Sequence, residues 1–197
     1  MSFVLGLTGS IGMGKSTTAQ MFRDRGYPVW DADRVVHDLY EPGGAAVDAV
    51  SALFPAALIE NAIDRDVLKS CIAKDPTALT RLEQVVHPMV SENRQGFLGA
   101  NRDALLVVLD IPLLFEGNME PDLDGVAVVS TNRETQRARV LARPGMTEST
   151  FEMILSRQVP DAEKRARANW VIPTDTLDAA NAAVDAICQE IEEKCVR

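Results

Sequence analysis

The chain has three cysteines in 197 residues, at positions 71, 188 and 195. Cys188 and Cys195 fall seven apart on what reads as one helix, too far for a bridge, and Cys71 stands alone. That excludes a disulfide framework and a cysteine metal site, and leaves buried, reduced thiols as the expected state. With only 12 glycines and 10 prolines, a collagen-like chain is also excluded. No stretch approaches the roughly 18 unbroken apolar residues of a membrane span. The longest candidate, residues 104–115, is broken by Asp110 and Pro112. The opening residues Met1 to Leu7 have no basic segment and too short an apolar run for a secretory signal, so the expectation is a soluble, cytoplasmic protein. Basic residues are scarce as well: 20 Lys and Arg against 29 Asp and Glu give a formal charge of −9. Without a broad basic footprint, neither nucleic acid nor a membrane surface is an expected partner.

The remaining composition is that of an ordinary globular protein, 46% hydrophobic and 25% charged, long enough for one core with a sizeable insertion. Phe3 to Leu7 is a nearly all-apolar run ending at Thr8-Gly9, as expected of a strand buried on both faces. A helical pattern from Lys15 to about Arg25 buries Ala19 and Phe22 and stops at Gly26. Tyr27 to Trp30 then reads as a second strand running into Asp31-Ala32-Asp33. Ala104–Leu109 and Gly125–Val129 read as central strands, and Trp170–Ile172 as a weaker one. About five strands separated by helices predict an α/β class with a mainly parallel sheet. Between the second and third strands lie roughly seventy residues, Arg34 to Arg102, with helical spacing and no good strand. Helices are predicted near 45–53, 66–73 and 78–98, with breaks at Gly43-Gly44 and Asp75-Pro76. The last segment puts Leu177, Ala180, Val184, Ile187, Ile191 and Cys195 on one helical face.

Gly9-Ser10-Ile11-Gly12-Met13-Gly14-Lys15-Ser16 matches G-x-x-x-x-G-K-[ST] in full, between a strand and a helix. The chemistry requires these types. Glycines let consecutive N–H groups turn onto phosphate oxygens, and the helix N-terminus favours negative charge. Lys15 can reach the β- and γ-phosphates, and the Ser16 hydroxyl can ligate Mg²⁺. The backbone and side chains of Gly12, Met13, Gly14, Lys15, Ser16 and Thr17 are therefore the predicted nucleotide site, with a nucleoside triphosphate and Mg²⁺ as ligands.

A phosphate loop is shared by switches, motors and transferases. A guanine-reading N-K-x-D is missing, and Asp122-Leu123-Asp124-Gly125 precedes a strand rather than following one, so it reads as a turn. Asp110 ends a suitable strand, yet Ile-Pro follows it where motor ATPases carry a second acid. A small-molecule kinase fits better, because such an enzyme must exclude water and covers its phosphates with a basic lid. Residues 133–167 carry eight basic and five acidic side chains, +3 against −12 for the remainder, with breaks at Pro144-Gly145 and Pro160. That segment reads either as such a lid or as a solvated helical face with i,i+4 pairs. At the other side of the reaction, Asp33 could accept or orient the attacking hydroxyl, or merely cap the helix from Arg34 to Tyr40.

Taken together, these features resemble the dephospho-coenzyme A kinase family across essentially the whole chain. The match is carried by Leu7 to Ser16, Asp31-Ala32-Asp33 with His37, Val86-His87-Pro88, Pro112-Leu113-Leu114-Phe115-Glu116, and Glu134-Thr135-Gln136 with Arg139 and Arg143. Arg157-Gln158, Lys164 and Ala168 before Val171-Ile172 complete it. The resemblance implies a fold like that of nucleoside monophosphate kinases, three-layered, with a five-stranded parallel sheet, a helical substrate domain and a helical lid. Its implied boundaries are a core of residues 1–33, 103–131 and 168–197, an acceptor-binding insertion 34–102 and a lid 132–167. The implied reaction is phosphorylation of the ribose 3′-hydroxyl of dephospho-coenzyme A by ATP, in a monomer or weak homo-oligomer. The alternatives are another small-molecule P-loop kinase, of nucleoside or shikimate type, or a nucleotide-hydrolysing switch.

Carried over by position, Asp33 is the base or hydroxyl-orienting group, Lys15 and Arg139 act on the transferring phosphoryl group, and Arg143 is a second phosphate contact. Thr8, His87, Pro88 and Leu113 join Asp33 at the acceptor. The residues alone also allow His87 to be a satisfied histidine at a helix break and His37 to be structural. They allow Leu113 to Phe115 to be core or pocket wall, and Glu116 to pair with a basic residue or with Mg²⁺-bound water. Two positions depart from the family pattern: Asn169 replaces the usual Asp before the last strand, and Thr174 stands in the Pro173-Thr174 pair where an Asn is usual. Adenine contacts around 169–173 are therefore left open.

Overall fold

The computed structural model describes residues 2–195, and these divide into two compact units, residues 2–30 with 101–195, and residues 31–100. The first unit is built on a five-stranded parallel sheet flanked by helices. Its strands are β1 (Phe3–Thr8), β2 (Val29–Asp31), β5 (Leu106–Asp110), β6 (Gly125–Ser130) and β7 (Trp170–Pro173), in the order β2-β5-β1-β6-β7. β1 lies at the centre, parallel to β5 and β6, with Leu7 opposite Asp110 and Thr8 opposite Val128. That register brings the ends of β1, β5 and β6 to one edge of the sheet, where ligands of parallel α/β folds bind.

Strand periodicity sorts the side chains into layers. Leu5 and Leu7, Leu106 and Val108, Ala127 and Val129, and Ile172 form one face. They pack against Ala19, Met21 and Phe22 of α1 (Lys15–Asp24) and Ala180, Val184, Ile187, Cys188 and Ile191 of α9 (Leu177–Cys195). Each fully buried Phe, Leu or Ile there stabilises the fold by roughly 2–3 kcal/mol, an upper estimate for an extended unfolded chain. Val107, Leu109, Val126 and Val128 are buried on the opposite face, and Leu114 and Leu123 close over Gly6, where an added Cβ would come within 2.5 Å of Leu123. The final helix is amphipathic as expected, but its ends are not part of the core: Leu177 is 65% exposed and Cys195 is exposed. Of the three free thiols only Cys188 is buried, and burial pushes its pKa up.

The second unit holds α2 (Ala32–Tyr40), α3 (Val47–Leu53), α4 (Arg65–Lys74) and α5 (Ala78–Ala100). Their shared core includes Tyr40, Val50, Phe54, Leu68, Leu82 and Val86. Contrary to the expectation of helices alone, it also contains an antiparallel hairpin of β3 (Leu58–Ile59) and β4 (Ala62–Ile63). Glu60 and Asn61 turn it with φ of 50° and 64°, the left-handed pair of a tight hairpin loop. The helix expected near 78–98 is α5, which runs through Pro88 for 23 residues, so the alternative of His87 at a helix break is absent.

In the first unit the basic segment forms α6 (Arg133–Leu141), α7 (Glu148–Ser156) and α8 (Asp161–Arg167), separated at Pro144-Gly145 and Pro160. Asp122 to Gly125 is the turn the sequence suggests, with Asp124 accepting a 2.8 Å bond from the Val4 N–H at the start of β1.

Candidate active site

The loop from Gly9 to Gly14 leaves the end of β1 and enters α1 through Gly14, whose φ of 93° makes it a left-handed N-cap. α1 begins with no side-chain cap and no acid in its first turn. Its first N–H groups, those of Lys15, Ser16 and Thr17, thus retain the donors that an anion satisfies. Ser16 and Thr17 are exposed. Gly12 is required twice, by a φ of 78° and by the Gln136 carbonyl, which a Cβ would approach to 2.9 Å.

The loop is held from outside by side chains distant in sequence. Gln158 Oε1 accepts from the Ile11 N–H at 3.1 Å, and Gln136 Nε2 on α6 donates to the Ile11 carbonyl at 2.8 Å. Thr174, buried just past β7, donates its hydroxyl to the Met13 carbonyl at 2.6 Å. Arg139, also on α6, reaches the Thr174 carbonyl at 2.6 Å. Asp175 fixes the start of α6, accepting from the Thr131 hydroxyl at 2.7 Å and the Asn132 side chain at 2.9 Å. The Thr131 hydroxyl and the Asn132 N–H hold the Asp175 carboxyl below its ordinary pKa.

Inside the loop, Lys15 Nζ lies 2.5 Å from Asp110 Oδ1, and the carboxylate is about 1% exposed. The pairing of Leu7 with Asp110 in the sheet creates this contact, since Asp110 ends the strand beside the one that feeds the loop. Thr8, buried at the end of β1, donates to the Pro112 carbonyl at 3.1 Å. Beyond Pro112, Leu114 and Phe115 are buried while Leu113 is 52% exposed, so core and surface roles divide within that tripeptide. Glu116 Oε1 accepts from the Val159 N–H at 2.8 Å and lies 2.9 Å from the Nζ of Lys164, whose side chain is wholly buried. The ammonium lies off the hydrogen-bonding direction, so the contact is an ion pair, and Glu116 Oε2 is buried without a hydrogen-bond partner. Burial works to raise the Glu116 pKa, but Lys164 and the Val159 N–H outweigh it and hold the carboxyl below the usual range.

The basic segment sorts in the same way. Arg133 pairs with Glu152, Arg137 with Glu148, Arg165 with Asp161, and Arg167 with Glu120 and Glu163. With Lys164 on Glu116, three guanidinium groups of the segment have no carboxylate partner among the described residues: Arg139, Arg143 and Arg157.

The model of the family described as dephospho-CoA kinase matches residues 3–179. The chain belongs to the dephospho-CoA kinase family. A family member from Jannaschia sp. (strain CCS1), named dephospho-CoA kinase, is 54% identical over 193 residues, covering 98% of this chain and 99% of that one. A solved structure from Thermus thermophilus, TT1252, is 35% identical with a TM-score of 0.85, covering 96% of this chain and 97% of that one. A dephospho-CoA kinase from Campylobacter jejuni, 22% identical with a TM-score of 0.68 over 98% of both chains, shares the fold.

The other residues suggested by the family pattern lie in the second unit, on its helices. Asp31, not Asp33, caps α2, accepting from the Arg34 N–H at 3.0 Å, so the capping alternative for Asp33 is overturned. Asp33 sits exposed in the first turn of α2 with no side-chain partner among the described residues. His37, one turn later, pairs with Glu41 at 3.2 Å. His87 and Pro88 are exposed on α5, inside the helix rather than at its end. Asn169 resolves one of the departures from the family pattern. Its Oδ1 accepts from the Val126 N–H at 2.8 Å, at the start of β6 and thus at the opposite edge of the sheet from the loop. Its role is to continue the β6–β7 pairing. Asp110, Gln136, Gln158 and Thr174 are the residues that sequence reasoning left without a role. For Asp110 the available signal was its place at the end of a strand.

Proposed function

We propose that this kinase transfers the γ-phosphoryl group of ATP to the ribose 3′-hydroxyl of dephospho-coenzyme A, giving coenzyme A and ADP. The observation that carries the reading is the uncapped start of α1, with Lys15 projecting beside its free N–H groups within a chain of this family. Phosphoryl transfer asks little covalent chemistry of a protein and much positioning and charge stabilisation. The acceptor oxygen attacks the γ-phosphorus, the bond to the β,γ-bridging oxygen breaks, and the hydroxyl proton passes to Asp33. Lys15 and Arg139 neutralise charge on the transferring group, and Arg143 supplies a further phosphate contact. Residues 132–167 serve as the lid, and residues 34–102 hold the acceptor, with Thr8, His87, Pro88 and Leu113 among its contacts.

No cluster of three or more His, Cys, Asp or Glu able to hold a metal occurs among the described residues. That fits Mg²⁺, which keeps several waters and is held mainly by substrate phosphates with one or two protein oxygens. The exposed Ser16 hydroxyl and the Asp110 carboxylate are the oxygens that would hold it, and the ion would supply positive charge to offset that of the phosphates. No helix among the described residues is long and apolar enough to cross a membrane; the proposal places the enzyme in the cytoplasm as a monomer or weak homo-oligomer.

The test is ADP production from Mg-ATP with dephospho-coenzyme A, shikimate and nucleoside monophosphates as acceptors. Activity with either of the latter and none with dephospho-coenzyme A rejects the reading. Asp33→Asn is expected to lower turnover by about 10²- to 10⁴-fold while ATP affinity stays near that of the parent. Collapse of ATP binding instead would make Asp33 a structural or metal residue.

A further inference from the structure

A trans peptide points its carbonyl and its N–H in opposite directions. The Ile11 carbonyl is drawn outward by Gln136 Nε2 and the Met13 carbonyl by the Thr174 hydroxyl, so the Gly12 and Gly14 N–H groups of those same peptides face the other way. The Ile11 N–H, by contrast, is already taken by Gln158 Oε1. Three side chains from three separate stretches thereby dictate which amides of the loop present donors to an anion and which does not. We propose that Gln136, Gln158 and Thr174 are positioning residues for ATP, setting the direction of the P-loop amides before the triphosphate arrives.

The supports are fixed in turn. Gln136 rides on α6, whose start is bound to Asp175, and its own backbone carbonyl closes over Gly12. Gln158 precedes Val159, whose N–H is held by Glu116. Thr174 continues β7 and donates from a buried position, where a missing donor leaves the Met13 carbonyl unsatisfied. A loop released from these bonds samples other peptide orientations, and ATP must then order it on binding. The loss therefore falls on nucleotide affinity and not on the acceptor.

This inference rests on the proposed kinase reading only for the identity of the nucleotide, and its test needs no acceptor. Gln136→Met, Gln158→Met and Thr174→Val keep side-chain size; the first two remove one bond each, and the third removes the bond to Met13 with the longer 3.3 Å contacts of that hydroxyl to the Ser130 carbonyl and Arg139 Nη1. Calorimetric titration with ADP and ATP is expected to show affinity about five- to tenfold weaker in each variant, the effect of losing roughly one hydrogen bond. In steady state the KM for ATP rises to match, while the KM for dephospho-coenzyme A stays within about twofold of the parent value. A purely architectural role would lower the melting temperature and the active fraction and leave nucleotide affinity unchanged, which would overturn the proposal. For any variant that fails to fold, the parent protein supplies the second measurement. Before nucleotide is added, the Ile11 amide should exchange slowly with solvent. On ADP addition the Gly12 and Gly14 amide resonances should move and that of Ile11 should not; an Ile11 shift larger than theirs would also overturn it. A parent that binds ADP tightly yet ignores dephospho-coenzyme A would reject the acceptor assignment and leave this inference standing.

Discussion

Removing the ammonium from the Glu116–Lys164 pair tests the energetics of the molecule most directly. Lys164 is wholly buried and Glu116 is 17% exposed, and they join the segment after β5 to α8. Lys164→Met replaces the cation with an apolar chain of similar length and leaves the carboxylate with the Val159 N–H but no counter-charge. Breaking one partner of a buried pair destabilises by about 3–5 kcal/mol, because the remaining charge stays desolvated. At about 2–4 °C per kcal/mol for a chain of this size, the melting temperature should fall by roughly 10 °C. In Glu116→Gln/Lys164→Met no charge is left, and the amide oxygen still accepts from Val159. The double variant should therefore recover most of the loss, to within about 1–2 kcal/mol of the parent.

The pH dependence gives a sharper reading. In the parent the folded pKa of Glu116 is lowered, so its contribution is complete above the unfolded carboxylate pKa of about 4.3 and is lost as pH falls through the folded value. Between pH 7 and 5 this group adds no slope. With Lys164 gone, burial acts with far less opposition and the folded pKa rises above the unfolded one. The variant then takes up a proton on folding and regains stability as pH drops from 7 towards 5. Urea unfolding of both proteins at pH 7, 6 and 5 measures this, and the gap between them should narrow as acid is added. A loss under 1 kcal/mol at pH 7, or a gap that stays constant with pH, would show that the pair is neither desolvated nor coupled as described.

Two further substitutions separate the edges of the sheet. Asp110→Asn, which removes the carboxylate beside Lys15, should raise the Mg²⁺ concentration needed for half-maximal activity by on the order of tenfold. An unchanged Mg²⁺ requirement would confine Asp110 to holding Lys15. Asn169→Ala removes the acceptor for the Val126 N–H at the far edge. It should cost about 1 kcal/mol or more in chemical denaturation while the KM for ATP stays at the parent value; a raised KM would contradict that location.

What the sequence disclosed follows from the range of the interactions involved. β1, β5 and β6 are legible because burial on both faces demands unbroken apolar runs, and the phosphate loop because its glycines and lysine are contiguous. The β3–β4 hairpin is not, since two-residue strands carry no period and Glu60-Asn61 lacks the glycine that usually marks such a turn. Pro88 sits inside a helix that the apolar spacing predicts correctly, against its local preference. Local rules end a helix there, but Val86 is buried and Met89 and Val90 pack on the same core, so tertiary burial carries α5 past the missing N–H. The sequence suggests Asp33 as the cap, and only the β-region backbone of Asp31 shows that the cap lies two residues earlier. The contacts of Lys15 with Asp110, and of Ile11 and Met13 with Gln136, Gln158 and Thr174, span 95 to 161 residues, and nothing local in a single sequence encodes such pairings.

The basic segment shows how a sum conceals its parts. Its excess of +3 reads from sequence as a lid or as a solvated helical face, and the fold matches most of its cations with carboxylates. Exposed pairs of that kind stabilise by only a few tenths of a kcal/mol to about 1, so their role is to join α6 to α7 and to brace α8. The three guanidiniums left over equal the excess charge in number, and they differ in how they are held. Arg143 and Arg157 are exposed, whereas Arg139 is fixed at the Thr174 carbonyl, one residue's width from the bond that holds the Met13 peptide. At physiological ionic strength a charge acts over about 8 Å. An arginine fixed beside the P-loop thus acts there, so under the proposed transfer the segment contributes through placed cations, Arg139 already in position and Arg143 as the further phosphate contact, rather than through its total charge.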